Sequence, residues 1–215
     1  TGNVAFMGPP ADPSLDAPQP SYDMETPGTA EFDAYGPGKI ENFQSSNDVA
    51  VLRVDFSLDD TYQIQFDFVF GSVEYPFYTG SFTDSFLVFL NGTDSANQIT
   101  YDQNGNPVQV GASFSGLVSV ADQNTAFANP HGVLGLTTTS AELDAGDYTL
   151  TFEIGDVNDH ILDSAVFISN LRTGVGQEGT EPTDPEDYVP EPGTMTLSLI
   201  GFCLLAFFRW RNHAK

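Results

Sequence analysis

The sequence predicts an all-β protein: an antiparallel β-sandwich, jelly-roll-like, with long loops. A disordered acidic linker and one short C-terminal transmembrane helix follow it. Three observations lead there. Short runs alternate apolar and polar residues, the period that sets one face of a strand on a core. Clusters of Gly, Asn and Asp separate these runs, as turns do. No segment before the C-terminal tail keeps a helical period over ten residues. Seven or eight short strands with turn signals between them suit a two-sheet antiparallel architecture.

Taken in order, residues 1–47 are rich in Pro, Gly, Asp and Ser and read as the loop-rich N-terminal part of the domain. Residues 48–173 form the β-sandwich body. Leu52, Val54 and Phe56 alternate with Arg53, Asp55 and Ser57, so one face of this strand is expected in the core. Tyr62, Ile64, Phe66, Phe68 and Phe70 form the clearest strand. A loop, 71–84, comes next. Residues 85–90 are continuously apolar, as in a strand buried on both faces. Asn91-Gly92 and Asn104-Gly105 are turns. Short strands are expected over 108–110, 117–120 and 133–139. Tyr148, Leu150, Phe152 and Ile154 mark another strand, 155–163 an acidic loop, and 165–171 the last strand. Residues 174–188 have no apolar cluster and read as a solvated acidic linker.

The chain of 215 residues has 30 acidic and six basic residues. Three of the six, Arg209, Arg211 and Lys215, close the chain, which leaves Lys39, Arg53 and Arg172 against all 30 acids before the apolar tail. Such a body is repelled by nucleic acid and anionic lipid and attracts cations. The single cysteine, Cys203, lies in the tail. The body therefore has no disulfide framework and no cysteine zinc site, and its stability must come from a core. The 18 Phe and eight Tyr can supply one.

Residues 189–215 have three parts in order: Pro190-Glu191-Pro192, an uncharged run, and a basic end with Arg209 and Arg211. Spanning a bilayer takes about 20 apolar residues, with a lower limit near 17. The predicted helix, 194–210, meets only that limit. Its basic end should stay cytoplasmic and leave the body outside. The order of these parts resembles the PEP-CTERM sorting signal of Gram-negative bacteria that make exopolysaccharide. That resemblance implies an exosortase as partner, transient hold in the inner membrane through the helix, and processing near the motif. The product would be a cell-surface or matrix protein. Thr1 is not preceded by a signal peptide, so an exported chain is expected to have residues before it.

Two stretches between strands carry the candidate site residues. One is 71–84, with Glu74, Tyr75, Tyr78 and Asp84; the other is 155–163, with Asp156, Asp159 and Asp163. Carboxylates gathered on loops suit Ca²⁺, which takes six to eight oxygen ligands at about 2.3–2.6 Å. An EF-hand does not fit, because Ile161 and Phe167 stand where its glycine and bidentate acid belong. Glu74, Asp84, Asp156, Asp159 and Asp163 are thus candidate ligands of a site assembled from separate segments. The competing reading is that these aspartates cap turns. Tyr75 and Tyr78, with Phe77, are candidate stacking platforms for a sugar.

FVFGSVEYPFYTGSFTDSFLVFLNG and LTFEIGDVNDHILDSAVFISNLR resemble the choice-of-anchor L domain of bacterial surface proteins. Glu74, Tyr75, Tyr78, Gly80, Ser81, Asp84, Phe86, Asn91 and Gly92 match its first long motif. Asp156, Asp159, Asp163, Ser164 and Phe167 match its second, and Thr1-Gly2-Asn3-Val4 its opening. The chain departs at Val73, where the family has an acid, and at His131-Gly132, where it has Asp-Gly. The family brings no catalytic role.

Catalysis is not expected. His131 or His160 could pair with Ser164 and an aspartate as a hydrolase triad, but no Gly-x-Ser-x-Gly elbow exists. Glu74 and Glu153 imitate a glycosidase pair only by arithmetic. The expected function is structural or adhesive display outside the cell. Lectin-like, calcium-dependent binding of exopolysaccharide is the alternative.

Overall fold

The computed structural model describes residues 1–2, 21–111, 126–127 and 131–174. Its strands are β1 (Ser46–Leu58), β2 (Gln63–Ser72), β3 (Ser85–Leu90), β4 (Val108–Gln109), β5 (Gly132–Thr139), β6 (Gly146–Val157) and β7 (Ser164–Gly174). They form two antiparallel sheets, ordered β1-β6-β3-β4 and β5-β2-β7. The eighth strand that a jelly roll uses is not among the described residues. The strand expected over 117–120, the linker and the transmembrane helix all lie outside them. No helix among the described residues is long and apolar enough to cross a membrane.

The main core lies between the sheets. Ile64, Phe66, Phe68 and Phe70 of β2 meet Phe86 and Val88 of β3 and Leu150, Phe152 and Ile154 of β6. Phe66 packs edge-on against Phe152 with ring centroids 5.2 Å apart, and Phe68 lies 5.0 Å from Phe86. These are favourable separations for aromatic pairs. The alternation in β2 therefore reads correctly, and so does the double burial of β3. Phe86 and Val88 face this core, while Leu87 and Phe89 face a second one.

That second core corrects the reading of 1–47 as loops alone. A six-residue helix, α1 (Ala30–Tyr35), buries Phe32 and Tyr35 against Leu87, Phe89 and Val157. Thr29 caps it by accepting from the Phe32 N–H at 3.0 Å. Less than two turns long, α1 has too few residues to show a period.

β1 departs from expectation in another way. Leu52 pairs with Phe152 in register and so stands on the core side, yet it is 53% exposed. β1 is an edge strand of the four-stranded sheet. The three-stranded sheet opposite it leaves Leu52 uncovered. Val54 and Phe56, farther along, are partly buried on the core. β6 also runs on through Val157, so Asp156 belongs to a strand and not to the acidic loop.

Phe68→Ala should cost about 3–5 kcal/mol of stability, the range for truncating a buried Phe. Leu52→Ala should stay within about 0.5 kcal/mol, as exposed positions do. Urea unfolding of both variants measures the contrast, and equal losses would contradict the placement of β1.

Candidate cation site

The inward alternation of four strands continues past the aromatic core and turns polar at one end. On β2 it runs Phe66, Phe68, Phe70 and Ser72, with Glu74 next beyond the strand. On β3 it runs back through Phe86 to Asp84, on β6 through Ile154 to Asp156, and on β7 through Val166 to Ser164. Ser85 is paired with Gly155, and Ser72 with Ser164, which brings these ends together. The two connections here, 73–84 and 158–163, both cross from one sheet to the other. Glu74 and Asp84 begin and end the first. Asp159 lies at the start of the second.

Glu74, Asp84 and Asp156 are all fully buried. Carboxylate oxygens of Glu74, Asp84 and Asp159 lie within 4.8 Å of one another. Asp84 is well held: its Oδ1 accepts from the Val157 N–H at 3.1 Å and its Oδ2 from the Ser164 hydroxyl at 2.7 Å. The others are not. Glu74 Oε1 and Asp159 Oδ1 find no donor, and Asp156 makes no well-formed hydrogen bond, though the Thr1 hydroxyl and ammonium lie near enough to favour its charge. Among the described residues, neither Lys39, Arg53 nor Arg172 forms an ion pair with the cluster; Arg172 reaches Asp67 instead.

Burial drives these acids toward their neutral forms and outweighs the Thr1 ammonium near Asp156 and His160 near Asp159. Burial, then repulsion from Asp159 and Asp156, pushes Glu74 from its ordinary 4.5 up to about 9. Burial and the neighbouring Asp84 push Asp156 up to about 10. Burial and Glu74 raise Asp84 well above the carboxylate range. Asp159, half-buried, rises to about 6, mainly through burial.

Four of the five acids singled out from sequence thus share one neighbourhood. The fifth, Asp163, plays another part: both of its oxygens accept from the Tyr22 N–H, at 3.2 and 3.1 Å, which ties two distant segments together. Gly2 packs so closely on it that a β-carbon there would lie 2.0 Å from Oδ2. Tyr75 is partly buried against the main core, whereas Tyr78 is 45% and Phe77 64% exposed. The triad arrangement does not form, since Ser164 donates to Asp84 and His131 Nδ1 lies 2.8 Å from the Tyr75 carbonyl oxygen. Glu153 is far from a pairing with Glu74 in role: it sits under α1 and accepts from the Thr29 hydroxyl at 3.3 Å. The sorting residues Pro190, Glu191, Pro192, Arg209 and Arg211 lie outside the described residues.

A second group, Asp23, Asp48 and His160, escaped the sequence reading. His160 Nδ1 lies 3.6 Å from Asp23 and 4.0 Å from Asp48. Burial raises the Asp48 carboxyl, but the Met24 and Thr26 N–H groups, the Thr26 hydroxyl and His160 outweigh it and hold the carboxyl low. Asp48 thus has its partners within the protein. Nothing local in the sequence signals this group, because its members come from three segments.

The raised acids set a pH dependence. Folded Glu74 keeps a proton that the unfolded chain gives up near 4.5. Its contribution to stability is therefore full below that pH and is lost as pH rises toward about 9. Asp84 and Asp156 act in the same sense. In chelated buffer, unfolding free energy should fall between pH 5 and 8, and Glu74→Gln should flatten the slope. A stability that rises over this window would contradict the burial of these acids.

Comparison with protein families gives two matches. The Choice-of-anchor L domain model matches residues 2–171, and the PEP-CTERM protein-sorting motif model matches residues 189–212. No match is found among curated proteins or among solved structures. The sorting motif marks an exported surface or matrix protein with an exosortase as its processing partner. With four-fifths of its length matched, the chain belongs to the choice-of-anchor L domain family.

Proposed function

We propose that the sandwich is a structural or adhesive module displayed outside the cell. The observation that carries this reading is the order of the chain: a family domain over residues 2–171, then the sorting motif over 189–212. The body's charge supports it. With three Lys and Arg residues against 30 acids, the body is repelled by anionic lipid and nucleic acid and remains soluble once released. The outer face of the three-stranded sheet supports contact with other surfaces. There Val69 and Phe167 are register partners, 36% and 44% exposed. Before processing, the apolar run 194–210 holds the precursor in the inner membrane. No step of this role needs catalysis.

A second reading is lectin-like binding of exopolysaccharide. The observation that favours it is the pair of exposed rings, Phe77 and Tyr78, on the crossover that carries Glu74 and Asp84. Tyr75, packed on the core, supports that loop rather than meeting a sugar.

In a host with an exosortase, replacing Pro190, Glu191 and Pro192 by alanine should leave an uncleaved precursor in membranes. The unaltered chain should appear at the surface or in the matrix without its basic end. Deleting the gene should weaken matrix cohesion under the structural reading. Unchanged cohesion, together with glycan binding that Phe77→Ala and Tyr78→Ala abolish, would favour the lectin reading. Surface delivery that ignores the triple substitution would defeat the sorting role.

A further inference from the structure

We propose that Glu74, Asp84 and Asp159 hold one calcium ion, with Asp156 beside Asp84, and that the ion staples the two crossovers and hence the two sheets at this end of the sandwich. The cluster of acids is not the only ground. Glu74 is completely buried, and its Oε1 and the Asp159 Oδ1 beside it have no donor. Buried polar atoms are nearly always satisfied, so these oxygens point to a missing partner. That partner must carry positive charge or hydrogen. Shared protons can bridge such oxygens in pairs, whereas one cation among them meets Glu74, Asp84 and Asp159 at once. Among the described residues, no Lys or Arg is paired with the cluster.

The spacing fits a cation. Ligands of one Ca²⁺, each about 2.3–2.6 Å from it, stand at most about 5 Å apart. The Glu74, Asp84 and Asp159 oxygens meet this limit at 4.8 Å. The donor type selects among metals. Zinc prefers nitrogen and sulfur, and the group has neither His nor Cys. Magnesium keeps its waters and usually takes one or two carboxylates. Several carboxylates in a dry interior suit calcium. Asp163, hydrogen-bonded to the Tyr22 N–H, stays outside the ligand set.

The position gives the ion its consequence. Glu74 and Asp84 lie at the two ends of the first crossover, and Asp159 lies at the start of the second. A shared ion fixes both loops, including the exposed Phe77 and Tyr78. It does so whether the domain is adhesive, structural or sugar-binding.

The test is thermal and urea unfolding of the full chain in detergent, at graded free Ca²⁺, with Mg²⁺ and with chelator. Above the dissociation constant, the unfolding constant should fall about tenfold for each tenfold rise in free Ca²⁺, as one site requires. Mg²⁺ should act far more weakly. Glu74→Gln and Asp159→Asn should lose the response, and Asp163→Asn should keep it. In chelator, Glu74→Gln should be at least as stable as the unaltered chain, because it removes an unpaired buried acid. A merely structural Glu74 would instead lose stability in both conditions. Unfolding that is the same in Ca²⁺ and in chelator for the unaltered chain overturns the site. So does a full calcium response in both Glu74→Gln and Asp159→Asn.

Discussion

The structure depends on how buried acids are kept at one end of the sandwich. Ser164, on one sheet, donates its hydroxyl to Asp84, at the edge of the other. Beside that bond, Glu74 and Asp156 are sealed from water, and Glu74 Oε1 finds no donor among the described residues. An unpaired buried charge costs several kcal/mol. The fold can carry that cost only if something neutralises the acids, and a cation does so while also joining the segments that bear them.

The rest of the architecture leads to this point. The aromatic core between the sheets fixes the inward register of β2, β3, β6 and β7, and their register carries the polar residues into a common space. The second core, with α1, covers the outer face of β3 and β6. Loop contacts tighten the same end: Asn158 receives the Gln44 N–H at 2.8 Å and donates to the Asn42 carbonyl at 3.0 Å. Calcium modules outside the cell commonly bind with constants of about 10⁻⁴–10⁻³ M. A site of that affinity in an exported domain would fill outside the cell, where calcium is at millimolar levels.

Much of this was legible in the sequence, and the gaps have physical causes. The Phe-rich alternation of β2 and the apolar run of β3 marked the core directly. The two acidic stretches marked the site, but not which acids point inward. Asp156 looked like a loop residue because Gly155 resembled a turn, whereas the strand continues through Val157. Asp163 looked like its neighbours and yet serves the Tyr22 N–H, a partner 141 positions away. Leu52 failed because alternation tells which face a residue takes, not how far the opposite sheet extends. α1 failed because six residues carry no period. Long-range pairing, coverage and capping are properties of the assembled chain.

The most direct measurement is a crystal structure of the protein grown with calcium, with anomalous data to identify the ion. The account predicts one calcium peak among Glu74, Asp84 and Asp159, with oxygens at about 2.3–2.6 Å. Asp84 should still accept from Ser164, and Asp163 from Tyr22. Carboxyl groups paired to one another through short hydrogen bonds, with no peak between them, would contradict it.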